Sequence, residues 1–320
     1  MLESLKFVQG AMSKKSLMPS LSHYRIHNSI ITSYNGSLAL SCPIDCDIDC
    51  VPEGESFFKA IEKCKGTVSM HMTDAGRLAV KSDNFRVYIN CMADKDMVEI
   101  EPEGEFPNEF DGTTLMKALV TVQPFIGDDA LRPWSTGVLL DGTSVFATNN
   151  AALLECFTAT EFPFKCNLPS TTVKELLRIK KTPSAVQGDE KSITFHYENG
   201  GWLKTQLLSP EWPDLKKILG GKSNLTKMDD RVFDALETLK PFLVDSLGKV
   251  ILDENGVMTS EQDSIGANVD IEDFELRGAY NLDMLMLLKD IAETADFATY
   301  PKPVLFQGEF LRGAIMGLKQ

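Results

Sequence analysis

The chain has 320 residues, of which 43% are hydrophobic and 24% charged, a composition typical of folded globular proteins rather than disordered or fibrous ones. Its 46 acidic and 32 basic side chains give a net charge of −14, which argues against a protein that holds nucleic acid through a generally basic surface. No apolar run approaches the roughly 18 residues that span a bilayer, and no signal-peptide pattern opens the chain, so we expect a cytoplasmic protein with no membrane partner.

The first third of the chain predicts two helices, each followed by a β-hairpin. Apolar residues at helical spacing indicate helices over 2–12 and 55–64. Asn35-Gly36 and Ala75-Gly76 separate pairs of strand-like runs, and such dipeptides are typical of tight hairpin turns because the turn requires positive φ angles. The predicted order is therefore helix, strands, helix, strands.

The same order recurs in the middle and last thirds. Apolar spacing predicts helices over 114–125, 171–181, 231–242 and 281–292. Hairpin turns are predicted at Asp141-Gly142, Asn199-Gly200, Asn255-Gly256 and Gln307-Gly308. Each third therefore contains the same four-part unit.

The spacing of the first hairpin in each third defines the repeat. Its glycines, Gly36, Gly142 and Gly256, lie 106 and 114 residues apart, which is the length of a whole domain. We therefore predict an α+β protein of three similar domains, each with two helices packed on antiparallel sheets. The predicted ranges are 1–106, 107–222 and 223–320.

Cys42, Cys46 and Cys50 are the clearest candidates for a metal site. They alternate with acidic residues at a period of two, which indicates a half-buried strand whose cysteines face the core. Sulfur atoms four residues apart on a strand lie about 13 Å apart, too far to share one ion. We therefore predict core cysteines and no metal. The odd total of seven cysteines predicts reduced thiols.

No known catalytic motif occurs in the chain. It has four histidines and lacks the zinc-protease, nucleophile-elbow, P-loop and dinucleotide-binding patterns. We therefore expect a protein that is not an enzyme and that uses no cofactor. A small cysteine-dependent enzyme that uses Cys156 or Cys166 stays open as an alternative from another class.

Basic residues recur at the same position of two repeats. Lys59 and Lys63 are four residues apart on one predicted helix, and Lys174, Arg178 and Lys181 follow a similar spacing on the equivalent helix. A solvated helix face explains either stripe alone, whereas the recurrence favours a shared basic surface. The equivalent helix of the last third is acidic and breaks the pattern.

Three short stretches and the C-terminal tail add a family resemblance. They are Ser56-Phe57-Phe58-Lys59-Ala60-Ile61, Phe146-Ala147-Thr148-Asn149-Asn150-Ala151-Ala152-Leu153, Trp212-Pro213-Asp214-Leu215-Lys216-Lys217-Ile218-Leu219 and Ala314-Ile315-Met316-Gly317-Leu318-Lys319. By their order and spacing, the chain resembles the bacterial sliding clamp, the beta subunit of DNA polymerase III, along nearly its whole length. The resemblance implies three sliding-clamp domains. The chain is short for that family, as a trimmed, phage-encoded version would be.

The resemblance implies a function in DNA replication. Members of that family form a head-to-tail dimer, a ring that encircles duplex DNA and acts as a processivity factor for DNA polymerase. A ring held topologically needs only weak, sequence-blind phosphate contacts, which fits a net negative charge. The implied partners are duplex DNA, DNA polymerase, other proteins with a clamp-binding motif, a clamp loader and a second copy of the chain.

The resemblance also assigns residues to two surfaces. The DNA-binding set comprises Lys14, Lys15, Lys59, Lys63, Lys117, Arg132, Trp134, Lys174, Arg178 and Lys181. The hydrophobic partner-peptide pocket comprises Thr148, Leu153, Pro213, Ile218, Met316 and Leu318. For Trp134, packing against its own domain is the alternative to DNA contact.

Two departures from the family pattern concern the pocket. Ala151-Ala152 stand where the family usually has His-Arg, and Gly317 stands where a proline is common, so we expect a different peptide specificity from that of a host polymerase's clamp. Residues 223–320 carry 18 acidic and 9 basic side chains, which leaves ring closure open. The alternative function is a clamp-like regulator that binds replication or transcription proteins without encircling DNA.

Overall fold

The structure, a computed structural model, describes residues 1–13, 16–105, 108–209, 211–244, 247–260 and 265–319. Within these residues, short helices alternate with antiparallel strands, which confirms the predicted α+β class. None of the helices in these ranges has the length and apolar character needed to cross a membrane.

Each of the six predicted helices has a helical counterpart in the structure. The α-helices span Leu2–Val8 (α1), Gly54–Lys63 (α2), Gly112–Val122 (α3), Ser170–Ile179 (α4), Lys216–Leu219 (α5), Arg231–Leu239 (α6) and Leu282–Met286 (α7). Short 3-10 helices cover Gln9–Ala11, Pro19–Ser22, Asp94–Asp96, Gln123–Phe125, Pro133–Thr136, Lys240–Phe242 and Phe297–Thr299. Helices α1, α3 and α6 each continue directly into one of these, so the first helix of every repeat ends in the same way.

The strands also follow the predicted hairpins. In chain order they span Arg25–His27 (β1), Ile30–Tyr34 (β2), Leu38–Pro43 (β3), Val51–Pro52 (β4), Ser69–Met72 (β5), Arg77–Ser82 (β6), Phe85–Met92 (β7), Asn108–Glu109 (β8), Gly137–Asp141 (β9), Ser144–Thr148 (β10), Ala152–Phe157 (β11), Cys166–Pro169 (β12), Ala185–Gly188 (β13), Ser192–His196 (β14), Trp202–Gln206 (β15), Thr226–Lys227 (β16), Lys249–Asp253 (β17), Gly256–Met258 (β18), Asn268–Asp270 (β19), Gly278–Asn281 (β20), Thr294–Ala295 (β21), Val304–Gly308 (β22) and Leu311–Ile315 (β23). All six predicted hairpins are present, but two predicted turn positions are wrong: Gly256 already begins β18 opposite Asp253, and Gly308 ends β22 opposite Leu311, so the last hairpin turns at 309–310.

The described chain forms two compact units. The first unit contains residues 1–116 and 171–208, and it holds a seven-stranded sheet in the order β1-β2-β3-β15-β14-β13-β8 and a four-stranded sheet in the order β4-β7-β6-β5. Strand β3 pairs with β15 in antiparallel register, with Ala39 opposite Lys204. The larger sheet therefore joins strands from two of the predicted domains.

The second unit contains residues 117–170 and 209–320. It holds an eight-stranded sheet in the order β12-β9-β10-β11-β23-β22-β21-β16 and a four-stranded sheet in the order β19-β18-β17-β20. Strand β11 pairs with β23, with Leu153 opposite Ala314. Each unit thus contains a sheet that crosses a predicted domain boundary. The division into three domains, 1–106, 107–222 and 223–320, stays a prediction.

Two of the hairpin turns use glycine as expected, although the residue before it behaves differently. Gly36 has a φ of +104° and Gly142 a φ of +64°, the left-handed region that glycine adopts without steric cost. Asn35 does not share this conformation, and its side-chain oxygen accepts hydrogen bonds from the N–H groups of Ser37 and Leu38. The turn is therefore stabilised by an asparagine side chain rather than by two left-handed residues.

The second helix of the last repeat is shorter than predicted. The spacing predicts a helix over 281–292, whereas α7 ends at Met286 and the chain continues in turns with hydrogen bonds to the third preceding residue, such as Leu288 N–H to the Leu285 carbonyl at 2.9 Å. Both leucines are fully buried. The apolar pattern is satisfied because these tighter turns still point both side chains inward.

A buried ion pair joins three strands of the second unit. Glu155 on β11 is 2% exposed, and it accepts hydrogen bonds from Ser144 Oγ at 2.8 Å and Arg312 Nε at 2.6 Å. Glu155 and Arg312 lie directly opposite each other on β11 and β23. Because a buried carboxylate without its partner is strongly destabilising, this pair favours the β11–β23 register.

Replacing Arg312 tests this interaction. We expect Arg312→Met to lower the free energy of unfolding by about 3 kcal/mol, the low end of the range for a broken buried pair, because the Arg312 side chain is 34% exposed. Urea denaturation followed by circular dichroism measures this change. The double variant Glu155→Leu with Arg312→Met should recover part of the loss, since it leaves no charge buried. A double variant less stable than Arg312→Met would contradict this account.

Candidate functional site

An apolar cluster in the second unit lies where the partner pocket was predicted. Its buried members are Leu139 on β9, Phe146 on β10, Leu153 on β11, Leu219 on α5 and Ala314 on β23. The partly buried side chains of Trp212, Leu215 and Leu305 pack against it. Four neighbouring strands and one short helix therefore supply a single apolar floor. We use the name apolar pocket for this cluster and the six predicted pocket residues taken together.

The six predicted pocket residues differ in burial. Leu153 is 5% exposed and belongs to the buried cluster, and Thr148 is also buried, with its hydroxyl donating to the Ala152 carbonyl at 2.7 Å. Ile218 and Met316 are 42% and 48% exposed. Pro213 is also exposed, and Leu318 is half-buried. Two of the predicted pocket residues are therefore buried, one is half-buried and three are exposed to solvent.

Backbone hydrogen bonds hold the C-terminal tail in place. The N–H groups of Met316 and Leu318 donate to the carbonyls of Ala151 and Ala279, each at 2.7 Å, and the Tyr300 hydroxyl donates to the Leu318 carbonyl at 2.7 Å. A Cβ atom on Gly317 would lie 2.8 Å from a ring carbon of Tyr300. The glycine that departs from the family pattern therefore allows the tail to pass close to this tyrosine.

Several members of the apolar cluster were not among the predicted pocket residues. They are Leu139, Phe146, Trp212, Leu215, Leu219, Leu305 and Ala314. Trp212, Leu215 and Leu219 follow a helical i, i+3, i+7 spacing, a signal that could have found them. Leu139 and Leu305 carry no such signal, because they reach the pocket only through the pairing of strands distant in sequence.

A cationic edge flanks the apolar floor. Lys216 Nζ lies 3.2 Å from Asp141 Oδ2 and 5.6 Å from the centre of the Phe146 ring, and Lys165 Nζ lies 3.4 Å from the same carboxylate oxygen. Burial alone would raise the pKa of Asp141. The hydrogen bond from Lys216 and the charges of the two lysines together outweigh this effect, so the pKa lies below its usual value. Two cations thus share one ionised carboxylate, which leaves this edge positive.

The predicted DNA-binding residues of the first unit lie on or next to two helices. Lys59 and Lys63 are exposed on α2, Lys174 is exposed on α4, and Lys181 follows α4 with its Nζ 6.0 Å from the centre of the Phe7 ring. Lys59 also forms an ion pair with Glu55 one helical turn earlier. Both helices therefore present cations to solvent, as the recurrence of basic residues predicts.

Arg178 has partners within the first unit. Its guanidinium contacts the Glu175 carboxylate and donates to the carbonyls of Lys6 at 2.8 Å and Phe7 at 2.7 Å, near the C-terminal end of α1. A Cβ on Gly10 would lie 2.0 Å from a Glu175 carboxylate oxygen, so a larger residue there would displace this carboxylate. The sequence could not reveal this role, because α1 and α4 are far apart in the chain.

The remaining predicted DNA-binding residues described by the structure belong to the second unit. Lys117 is exposed on α3, and Arg132 is exposed in the loop before β9. Trp134 in the same loop is half-buried and lies edge-to-face against Trp212, with 5.3 Å between the ring centres. This contact is the own-domain packing weighed as the alternative for Trp134. Lys14 and Lys15 lie outside the described residues.

The cysteine-rich segment departs from a regular strand. Cys42, Cys46 and Cys50 are buried as expected, but β3 ends at Pro43, so the prediction of a strand running through Cys50 is wrong beyond that residue. The burial still alternates in the irregular segment after Pro43. There the Ile44 N–H donates to the Ser29 carbonyl at 2.9 Å. No group of metal-ligating side chains occurs within the ranges that the structure describes.

The two cysteines considered as nucleophiles are both buried. Desolvation raises the pKa of Cys156 and of Cys166 to about 12. Both thiols are therefore protonated near neutral pH, whereas a nucleophilic cysteine must be a thiolate. This result weakens the enzyme alternative for these two residues.

Comparison with known proteins identifies the fold. No protein-family model and no curated protein sequence matches the chain. The solved structure of the beta subunit of DNA polymerase from Streptococcus pyogenes matches it with a TM-score of 0.86 at 18% identity. The sliding clamp of Bacillus subtilis matches with 0.81 at 15%, and the sliding clamp (DNA polymerase III subunit beta) of Bartonella birtlesii bound to griselimycin matches with 0.83 at 13%. Each match covers 100% of this chain and 97% of the other, which confirms the sliding-clamp fold.

Thiol labelling tests the burial of the cysteines. At pH 8 we expect the native protein to react with a thiol reagent at Cys64 and Cys91, which are half-buried, well before Cys156 or Cys166. The raised pKa leaves the two buried thiols uncharged at this pH, and burial also blocks the reagent. Mass spectrometry of partly labelled protein measures the order. All four should react in denaturant, and rapid native labelling of Cys156 would contradict the structure.

Proposed function

We propose that the protein is a DNA sliding clamp, a non-enzymatic processivity factor that works in the cytoplasm as a head-to-tail homodimer around duplex DNA. The observation that carries this proposal is the match to DNA polymerase beta subunits over the full length of the chain. A match of separate domains would fit many functions, whereas one spanning all three predicted repeats supports the role that the whole fold serves in those proteins. A head-to-tail contact that closes by rotation gives a ring rather than a filament.

The charge distribution supports sliding rather than tight binding. The net charge of −14 disfavours DNA on most of the surface, while α2 and α4 each present exposed lysines. A few exposed cations form weak, sequence-independent phosphate contacts, and such contacts allow movement along the duplex. In this proposal, enclosure of the DNA supplies retention and the lysines only guide the duplex.

The apolar pocket supports recruitment of DNA polymerase and of other proteins with a clamp-binding motif. Its buried floor around Leu153 and its exposed rim at Ile218 and Met316 suit the apolar anchors of a short peptide. Such a peptide would bury the rim side chains and extend the cluster. A clamp loader is the further partner that a closed ring would need, because a closed ring cannot pass onto circular DNA unaided.

A clamp-like regulator that does not encircle DNA is the alternative function. The engagement of Arg178 with Glu175 and α1, and the ion pair of Lys59 with Glu55, favour it, because both reduce the positive charge available to DNA. The acidic composition of residues 223–320 acts in the same direction. Both functions use the apolar pocket, and only the clamp requires a ring.

Retention on DNA separates these two functions. We expect the protein to have the mass of a dimer in solution and, once loaded, to stay on circular DNA and leave when the circle is cut, because enclosure is lost at a free end. Sedimentation measures the mass, and gel filtration of the DNA complexes measures retention. Equal retention on circular and linear DNA, or a monomer at working concentration, would favour the regulator.

Charge introduced at the pocket rim tests the partner site. Ile218→Asp or Met316→Asp should weaken polymerase binding by at least about 2 kcal/mol, or about 30-fold, as loss of an apolar anchor does. Surface plasmon resonance with the cognate polymerase measures the affinity. Phe310→Asp is a matched control, since Phe310 is 72% exposed in the same unit and is not part of the pocket. Equal effects of the control and the rim variants, or loss of the dimer in the rim variants, would contradict the assignment.

A further inference from the structure

In the second unit, the pocket proposed for a partner peptide contacts a loop that carries a predicted DNA contact. Trp212 packs against the apolar pocket. The loop is 127–136, which we call the Trp134 loop, and the predicted DNA contact that it carries is Arg132. The Trp134 and Trp212 rings meet edge-to-face, with 5.3 Å between centres and 64° between planes. Any ligand that moves one ring therefore acts on the other.

The backbone supplies a second connection between the loop and the pocket. Gly127 N–H is shared between the Ser135 carbonyl at 2.9 Å and the carbonyl of Thr148, a pocket residue, at 3.1 Å. A Cβ on Gly127 would lie 3.2 Å from both the Thr148 carbonyl oxygen and the Asn149 Cα, so glycine allows a close approach here. Both ends of the Trp134 loop are thus held at the end of β10.

Within the loop, Arg132 is held by the same residues. Its carbonyl accepts hydrogen bonds from the Ser135 N–H at 2.9 Å and the Ser135 hydroxyl at 2.8 Å, and Ser135 is fully buried. Asn167 donates to the Trp134 carbonyl at 3.0 Å. Ser135 therefore fixes the Arg132 backbone, while the guanidinium lies within the loop, with its Nε 3.9 Å from Asp129 Oδ2.

The Trp212 indole is not held by a hydrogen bond of its own. Its Nε1 is buried and has no acceptor among the residues that the structure describes. A buried N–H without an acceptor is unfavourable. Because the Trp212 N–H makes no hydrogen bond, the ring can change position without losing one. Packing alone positions Trp212 in the unliganded protein, and a peptide anchor in the apolar pocket would add to that packing.

We infer that the Trp134–Trp212 pair couples the two ligands of this unit, so that an apolar peptide in the pocket strengthens the contact of the Trp134 loop with a DNA duplex. This inference rests on the proposed function, which supplies both ligands. A bound anchor restrains Trp212, Trp212 restrains Trp134, and the loop then presents Arg132 with less conformational freedom left to lose on binding DNA. By linkage, DNA must strengthen peptide binding by the same factor.

The test measures the binding of each ligand with and without the other. The probes are griselimycin, with which a sliding clamp of this fold has been solved, and a short DNA duplex at low ionic strength. Each should bind the unchanged protein about fivefold or more tightly when the other is saturating, the lower end of typical coupling. Ile218→Asp should abolish griselimycin binding, which ties the probe to the pocket.

Three tryptophan variants identify the residues responsible. Trp134→Ala removes the ring contact and should abolish the mutual effect, so that the affinity of each ligand is the same with and without the other, while Trp134→Phe keeps an aromatic edge and should retain part of the coupling. Trp202→Phe is the matched control, because Trp202 lies on β15 in the other unit. It should leave the coupling unchanged, and it leaves only Trp134 and Trp212 to fluoresce, so that either probe should shift the emission. Thermal melting establishes that each variant is folded.

The outcomes separate failure of this inference from failure of the proposed function. If the unchanged protein binds both probes and neither alters the other's affinity, the coupling is wrong and the clamp proposal stands. Coupling that survives unchanged in folded Trp134→Ala also overturns the inference. If the unchanged protein binds neither probe, the proposed ligands themselves are wrong, and the inference falls with them.

Discussion

Pairing between strands that are distant in sequence is the constraint on which the rest of the structure depends. Strand β3 pairs with β15 in one unit and β11 with β23 in the other, so each larger sheet is continuous only because hairpins from different repeats meet at an edge. An unpaired edge would leave a row of N–H and C=O groups open to other chains. In the second unit the Glu155–Arg312 pair adds a buried charge interaction at this junction.

The apolar pocket is a consequence of the same pairing. Leu153 and Ala314 lie directly opposite each other across the β11–β23 junction, and Leu139 and Phe146 come from the neighbouring hairpin. Most of the cluster comes from the middle repeat, and the last repeat completes it with Leu305 and Ala314. Its rim is different in character, because Ile218 belongs to a four-residue helix and Met316 to a tail held by backbone hydrogen bonds. The cluster is thus fixed by strand pairing, whereas these two exposed residues are held by local structure.

The basic residues of α2 and α4 have two different roles. The lysines of α2 and α4 are exposed, while Arg178 on α4 contacts α1 through carbonyls and is neutralised by Glu175. Arginine suits that role because its planar guanidinium donates several hydrogen bonds in fixed directions, whereas lysine acts as a mobile point charge. A row of basic residues on a helix can therefore include one that stabilises the fold. Counting all of them overestimates the positive charge that is available to bind a ligand.

The order of helices and hairpins follows from the sequence alone, because both depend on local spacing and on turn residues such as Asn35-Gly36. Its motifs also indicated the sliding-clamp fold, and of the six predicted pocket residues Leu153 belongs to the buried apolar cluster. Only the tertiary structure decided which strands share a sheet, that Arg178 joins two helices, that α7 ends early and that Trp134 meets Trp212. These contacts join residues far apart in the chain, where local periodicity carries no information and packing alone selects the partner.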